Sequence, residues 1–129
     1  MIAIDSSVWI DYFNGRTTPQ TDRLHAALGV QPIVIGDLVL TEVLQGFRSD
    51  ELFRRAHRLL GAFPVVSMVG PTLAVRAARN YRALRGADVT VRKTIDVMIG
   101  TYCIENKLPL LYSDRDFDPI VDHLGLKPA

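Results

Sequence analysis

The chain has 129 residues, enough for one domain with a hydrophobic core. Hydrophobic residues make up 48% of it and charged residues 22%, which excludes a disordered chain. The 15 basic and 14 acidic residues give a formal charge of +1, which excludes nucleic-acid binding through bulk positive charge but leaves a local basic surface open.

Short apolar stretches alternate with amphipathic segments along the whole chain. In order, the sequence predicts a strand at Met1–Ile4, helices at Ser6–Asn14 and Thr18–Leu28, a strand at Pro32–Gly36, and helices at Asp37–Phe47 and Asp50–Gly61. It then predicts a strand at Val65–Met68, helices at Pro71–Arg85 and Ile95–Asn106, a strand at Pro109–Tyr112 and a helix at Pro119–His123. This alternation predicts an α/β fold, in which a parallel sheet has helices on both faces.

The sequence shows few features that indicate targeting or redox chemistry. The single cysteine, Cys103, cannot form an internal disulfide and has no histidine at a suggestive spacing, so we expect it in the core. No signal-peptide pattern opens the chain, and no apolar stretch approaches the roughly 18 residues that cross a bilayer. We therefore expect a soluble cytoplasmic protein without membrane association.

Carboxylates follow three of the four predicted strands. Asp5 ends the first strand, Asp37 the second and Asp114 the fourth, with Asp116 two residues further on. Ligands of open α/β sheets bind at the carboxyl ends of the strands. Because neighbouring carboxylates raise one another's pKa, a ring of acids there predicts a divalent cation. Oxygen ligands without His or Cys favour Mg²⁺ or Mn²⁺ over zinc.

Two more acids, Glu42 and Asp96, lie near the starts of predicted helices. Glu42 belongs to so apolar a helix that we expect it to be half-buried, and a half-buried carboxylate needs a partner. Asp96 lies in the first turn after Thr94, the predicted cap of its helix, where the helix dipole favours an acid in any protein.

The acids also have structural interpretations that the sequence leaves open. Asp5 and Asp37 can each cap the helix that follows, and for Asp37 this is the interpretation we favour. Asp114 and Asp116 can belong to an ordinary acidic turn. The prediction of a site rests on the convergence of all these acids on one sheet edge.

Four segments carry a resemblance to a known family: Met1–Phe13, Leu40–Phe47, Val91–Gly100 and Leu111–Phe117. In this order they resemble the motifs of the PIN-domain ribonucleases and, more narrowly, of the VapC toxins of bacterial toxin–antitoxin operons. The resemblance covers nearly the whole chain, so residues 1–129 are identified as a single PIN domain. It implies a three-layer α/β sandwich in which a small parallel sheet is flanked by helices.

Carried over position by position, the resemblance places Asp5, Glu42 and Asp96 at the family's most constant acids. Asp114 and Asp116 both fall in the last motif, where relatives differ and some have Asn at the position of Asp114. We expect Asp5, Asp96 and one of these two to bind the metal. We favour Asp114, which is nearer the strand end, with Asp116 orienting the turn. Glu42 is expected to hold a water or act as base.

The implied activity is endonucleolytic hydrolysis of RNA with Mg²⁺, or Mn²⁺ in its place, leaving a 5′-phosphate and a 3′-hydroxyl. Ser6 matches a hydroxyl residue that can hydrogen-bond the site, and Arg92 and Lys93 stand just before Asp96. We take these three as candidate substrate contacts. Other basic residues are more simply explained as solvated helix surfaces: Arg54, Arg55 and Arg58, and Arg76, Arg79, Arg82 and Arg85.

The resemblance further implies a homodimer and a cognate VapB-type antitoxin whose tail enters the acidic site. Trp9, Tyr12 and Phe13 crowd one short helix and are either partner contacts or core residues.

A catalytically silent PIN scaffold that only binds is one alternative function. The loss of an acid would support it, and none is lost. A Mg²⁺-binding phosphoacceptor receiver domain is another, but it expects paired acids after the first strand and a lysine after the last. Here Asp5 stands alone and Lys107 precedes the last strand.

Overall fold

Strands and helices alternate through the computed structural model, which describes residues 1–129. The strands are β1 (Ile2–Ile4), β2 (Ile33–Gly36), β3 (Val65–Val66) and β4 (Leu110–Leu111). The helices are α1 (Ser6–Phe13), α2 (Pro19–Ala27), α3 (Asp37–Gln45), α4 (Asp50–Leu60), α5 (Pro71–Gly86), α6 (Thr94–Glu105) and α7 (Asp118–Leu124). A 3-10 helix, Arg115–Phe117, precedes α7 and is the one helical element that the sequence did not predict.

The four strands form one parallel sheet in the order β3-β2-β1-β4. In β1, Ala3 pairs with Val34 of β2 on one side and with Leu110 of β4 on the other. Because the strands run in the same direction, the carboxyl ends of β1 and β4 lie side by side, and the Asp5 N–H donates to the Leu111 carbonyl at 2.8 Å. The predicted parallel α/β sheet is confirmed.

Helices cover both faces of the sheet. Every residue of β1 and β2 is buried, and successive side chains of a strand point to opposite faces. The helices form two packed groups, one of α1 to α4 and one of α5 to α7. The structure therefore has the predicted sandwich architecture, with its core on both sides of β1 and β2.

The aromatic residues of α1 lie in or against this core. Trp9 is fully buried, and its ring lies 6.0 Å from that of Phe13 and 5.8 Å from that of Phe63. Phe13 packs edge-on against Phe47, while the Tyr12 hydroxyl lies 2.9 Å from His25 Nδ1. The core interpretation is confirmed for Trp9, while Tyr12 and Phe13 stay partly exposed and their role as partner contacts stays a prediction.

Asp37 does not cap α3, and the predicted role is wrong. The N-cap of α3 is Gly36, and Asp37 is the first helical residue. Its Oδ1 accepts hydrogen bonds from the Leu38 N–H at 2.8 Å and from the Met68 N–H at 3.1 Å. The carboxylate therefore ties α3 to the segment after β3, which ends at Val66, two residues earlier than predicted.

Thr94 is also not a cap. It is the first residue of α6, and Lys93 occupies the N-cap position without a side-chain hydrogen bond to the helix. By contrast, Ser49 caps α4 by accepting from the Leu52 N–H, although the sequence analysis had assigned no cap there. Local preference for Ser, Thr, Asp and Asn at caps is thus followed at α4 and overridden at α6.

Replacing Asp37 with alanine is expected to lower the free energy of unfolding by about 1.5–3 kcal/mol, the contribution of hydrogen bonds to a charged group. Asp37→Asn keeps an acceptor oxygen and is expected to lose less. Urea unfolding of both variants measures the difference. Asp22→Ala is the matched control, since Asp22 is an exposed first-turn acid of α2. A loss for Asp37→Ala no larger than for this control would contradict the tether.

Candidate active site

The candidate active site lies where the carboxyl ends of β1 and β4 meet the first turns of α1 and α6. Asp5 directly follows β1, and Asp114 follows β4 after two residues. Asp96 lies in the first turn of α6, and α3 brings Glu42 to the same region. The parallel sheet therefore brings together residues that are far apart in the sequence.

A single hydroxyl, that of Ser7, connects the two strand ends. Ser7 Oγ donates to Asp5 Oδ2 at 2.6 Å and accepts from the N–H groups of Ser113 at 3.1 Å and Asp114 at 3.3 Å. A serine hydroxyl has one donor hydrogen and two acceptor lone pairs, so all of its hydrogen-bonding capacity is used. Sequence analysis missed Ser7; the only signal was a second hydroxyl residue after Asp5.

The two oxygens of Asp5 have different surroundings. Oδ2 accepts from the Ser7 N–H at 3.1 Å as well as from the hydroxyl, so Asp5 caps α1. Oδ1 is buried and has no hydrogen-bond partner. Since a buried polar atom without a partner is unfavourable, Oδ1 is an oxygen that a bound cation would satisfy.

Glu42 is half-buried, as the sequence predicted. Its Oε1 accepts a hydrogen bond from the Ser6 hydroxyl at 3.1 Å, which joins α3 to the start of α1. The structure thus places Ser6 against an acid of the site. Its expected role as a substrate contact stays a prediction.

Asp96, Asp114 and Asp116 each offer a carboxylate oxygen that lies within 4.8 Å of the other two. Asp96 is buried, and the other two are partly exposed. Asp114 Oδ1 accepts from the Asp116 N–H at 2.9 Å and so caps the 3-10 helix. The turn is therefore oriented by Asp114, which corrects the expectation that Asp116 does this.

Two cations accompany these carboxylates, both among the residues that the sequence singled out. Lys93 Nζ lies 2.5 Å from Asp114 Oδ2, 3.3 Å from Asp96 Oδ2 and 3.9 Å from Asp116 Oδ2. Arg92 Nη1 lies 3.8 Å from Asp116 Oδ1. Beside them is a cavity of about 70 Å³, whose charged lining residues are Arg92, Lys93, Asp96, Arg115 and Asp116.

The arginines of α5 make other contacts. All four are exposed, as expected for a solvated helix surface. Arg76 pairs with Glu105 of α6, and the Arg85 guanidinium lies 5.8 Å from the centre of the Tyr81 ring. Cys103 is buried in the core, as predicted, and burial raises the pKa of its thiol to about 12.

Burial dominates the electrostatics of the acids. It raises the pKa of Asp5 and of Glu42, and the charge of Asp5 raises that of Glu42 further. The pKa of Asp96 rises to about 7, first through burial and then through the charge of Asp5, against the opposing charge of Lys93. Partial burial acts to raise the pKa of Asp114, but hydrogen bonds from Lys93 and Asp116 hold it below its ordinary value.

The donor set fits a hard divalent cation. All candidate ligands are carboxylate oxygens, which Mg²⁺ and Mn²⁺ prefer. Two buried oxygens, Asp5 Oδ1 and Asp96 Oδ2, lack a hydrogen-bond partner, and Lys93 approaches the second only as an ion pair outside hydrogen-bond geometry. Asp5 lies outside the group of three close carboxylates, but its charge raises the pKa of Asp96.

Known proteins are similar to this chain along nearly its full length. The family model of the PIN domain matches residues 2–121. The chain belongs to the PIN-domain family. Two relatives, a VapC ribonuclease of Mycobacterium bovis and ribonuclease VapC11 of Mycobacterium tuberculosis, are each 30% identical to it over 132 residues, covering all of this chain and 98% of the relative.

Solved structures show the same PIN fold. VapBC2 from Rickettsia felis bound to a promoter DNA fragment has a TM-score of 0.78 at 13% identity, covering 100% of this chain and 98% of that one. VapBC-1 from nontypeable Haemophilus influenzae has a TM-score of 0.75 at 18% identity, covering 100% and 97%. Membership of the PIN family rules out the receiver-domain alternative. None of the helices is long and apolar enough to cross a membrane.

Without metal, this PIN protein is expected to lose stability as the pH rises from about 4 to about 7. The pKa of Asp96 is about 7 in the folded state against an ordinary value of 3.8, so the folded state holds this proton more tightly. The resulting stabilisation is complete below pH 4 and is lost as the pH passes through 7. Asp5 and Glu42 shift in the same direction.

Thermal unfolding in EDTA across this pH range, for wild type and Asp96→Asn, checks the prediction. Asn does not titrate, so the melting temperature of the variant relative to wild type is expected to increase between pH 4 and 7. A difference that stays constant with pH would show that Asp96 does not titrate there.

Removing the Ser7 hydroxyl is expected to destabilise the protein by about 1–3 kcal/mol, because it leaves the N–H groups of Ser113 and Asp114 without their partner. Ser6→Ala is the matched control, since it removes one hydrogen bond of a neighbouring hydroxyl. Urea unfolding of the two variants compares them. Equal losses would contradict the role of Ser7 as the link between β1 and β4.

Proposed function

We propose that this protein is a metal-dependent endoribonuclease, the toxin of a type II toxin–antitoxin pair, and that it hydrolyses RNA phosphodiester bonds. The observation that carries the proposal is the convergence of five acids, two of which have a buried oxygen without a hydrogen-bond partner, Asp5 Oδ1 and Asp96 Oδ2. Two full-length relatives at 30% identity are named VapC ribonucleases, which supports the same activity.

The residues proposed to hold the metal are Asp5, Asp96 and Asp114, with Asp116 close by. Magnesium or manganese, when bound there, supplies an activated water and neutralises the charge that the phosphate gains. Hydrogen bonds within the protein position two of these ligands in the absence of metal. Ser7 fixes Asp5 and the backbone of Asp114, so that two ligands from different strands keep their separation.

We propose Asp114 rather than Asp116 as the third ligand. The Asp114 carboxylate is oriented by the Asp116 N–H, and its backbone N–H is held by Ser7. The Asp116 carboxylate accepts no hydrogen bond and has only ion pairs of 3.8 and 3.9 Å. A preorganised ligand binds with less loss of conformational entropy, which favours Asp114.

Glu42 is proposed to act as the base that takes a proton from the attacking water. Ser6 occupies Oε1, which leaves Oε2 free of hydrogen bonds within the protein. Burial raises the pKa of Glu42, so its carboxylate binds a proton more readily than a surface glutamate does. A base near the site with a pKa closer to neutral pH is more efficient.

The RNA backbone is proposed to lie across Arg92 and Lys93, which flank the acids. The Arg92 side chain is 76% exposed, so its guanidinium can reach a phosphate with little desolvation. Arg115 lines the same cavity and adds a third positive charge there. Contacts to phosphates position a substrate without reading its sequence.

A cognate VapB-type antitoxin and a homodimer complete the proposal, with the cytoplasm as the place of action. The structure from Klebsiella pneumoniae that shares this fold is described as a toxin–antitoxin complex, with a TM-score of 0.71. A PIN scaffold that binds RNA or protein without cleaving is the alternative, and the following experiment separates the two.

Purified protein is expected to cleave RNA with Mg²⁺ or Mn²⁺ and to stop when EDTA is added. Asp5→Asn and Asp96→Asn keep shape but remove ligand charge, so cleavage is expected to fall by a factor of about 100 or more. Asp114→Asn is expected to lose more activity than Asp116→Asn. Gel assays on labelled RNA measure all four variants.

Asp37→Asn is the matched control, because it removes a carboxylate at the same sheet edge but outside the site. It is expected to cleave RNA like wild type at temperatures where it is folded. Full cleavage by wild type in EDTA, or by Asp5→Asn and Asp96→Asn in Mg²⁺, would overturn the proposed function. Absence of cleavage by the wild type on all RNAs would favour the non-cleaving scaffold.

A further inference from the structure

The ammonium group of Lys93 lies among the three carboxylates that come closest to one another. It lies 2.5 Å from Asp114, 3.3 Å from Asp96 and 3.9 Å from Asp116. Oxygens of the same three residues lie within 4.8 Å of one another. The positive charge is therefore at the place where these oxygens would surround a metal ion.

The backbone position of Lys93 is unusual for its residue type. It is the N-cap of α6, where Ser, Thr, Asp and Asn are preferred and where the helix dipole disfavours a positive charge. Thr94, a preferred capping residue, is adjacent and is not used as the cap. The lysine is thus unfavourable for the helix, and its favourable contacts are with the acids.

We propose that Lys93 is an internal counter-cation of the acidic site, which neutralises the carboxylates in the metal-free protein and is displaced when a divalent ion binds. The inference rests on the proposed function, since it concerns the same metal site. It assigns to Lys93 a role in controlling metal affinity, in addition to its proposed contact with RNA.

Shared ligand atoms favour the displacement. Lys93 Nζ lies 2.5 Å from Asp114 Oδ2 and 3.3 Å from Asp96 Oδ2, so an ion held by these two oxygens would compete with the ammonium for them at close range. Two cations at such a separation repel each other strongly in a partly buried site. The Lys93 side chain is 44% exposed, so it has an open route toward solvent.

Metal affinity is the first test. Titration calorimetry with Mn²⁺ on the full chain is expected to give a dissociation constant about tenfold lower for Lys93→Met than for wild type, because the ion no longer competes with the ammonium. Arg92→Met removes a charge near the same acids, 3.8 Å from Asp116, without vacating the metal position. It is expected to strengthen Mn²⁺ binding less than Lys93→Met does. Lys107→Met, which removes a charge at an exposed turn, is expected to leave Mn²⁺ binding unchanged.

Release of the ammonium is the second test, and it needs no variant. The chain has three lysines, Lys93, Lys107 and Lys127, so acylation of each can be followed by mass spectrometry. In EDTA, Lys93 is expected to react more slowly than the other two because carboxylates hold its ammonium. Saturating Mn²⁺ is expected to raise the reactivity of Lys93 and leave Lys107 and Lys127 unchanged.

The outcomes distinguish this inference from the proposed function. If wild type binds Mn²⁺ and cleaves RNA, but Lys93 acylation does not rise, the displacement is overturned and the ribonuclease proposal stands. Equal strengthening by Lys93→Met and Arg92→Met would likewise overturn it, since general charge then explains the affinity. If neither wild type nor Lys93→Met binds Mn²⁺, both proposals fail.

Discussion

Burial of a group of carboxylates, to which their mutual repulsion adds, is the constraint to which the surrounding structure responds. Burial and the charge of Asp5 raise the pKa of Asp96 to about 7, so at neutral pH part of the metal-free protein carries a proton there. The hydroxyls of Ser6 and Ser7 each donate to a carboxylate, and the ammonium of Lys93 supplies a positive charge. Burial and like charge at one site therefore favour the binding of a positive charge there.

The sequence predicted the fold well because its signals were local and repeated. Each buried strand is a short apolar run, and the alternation with helices leaves few topologies besides a parallel sheet. The errors concern Asp37 and Thr94, where capping preference depends on neighbours in sequence but the outcome depends on contacts in space. Asp37 bonds Met68, 31 residues away. Lys93, which takes the N-cap position beside Thr94, bonds Asp114, 21 residues away. Neither long-range contact leaves a pattern near the helix start.

The choice between Ser6 and Ser7 was beyond sequence analysis for a related reason. Two adjacent hydroxyls are equivalent by type, and the geometry of the first helical turn separates them. Because Asp5 caps α1, its Oδ2 accepts from the Ser7 N–H, which places the Ser7 side chain beside the same carboxylate. Ser6 then faces α3 and bonds Glu42. The sequence had left open whether Asp5 caps α1 or serves catalysis. The capping geometry is what places Ser7 beside the Asp5 carboxylate.

Structural and chemical roles coexist in these acids because each carboxylate has two oxygens. In Asp5, Oδ2 caps α1 and bonds Ser7, while Oδ1 has no partner. In Asp114, Oδ1 caps the 3-10 helix, while Oδ2 faces Lys93. In Glu42, Oε1 accepts from Ser6, and Oε2 takes no hydrogen bond from the protein. One oxygen thus fixes the side chain, and the other is presented to the shared space. Buried carboxylate oxygens without a hydrogen-bond partner are unfavourable, so this division of roles favours the binding of a cation at the site.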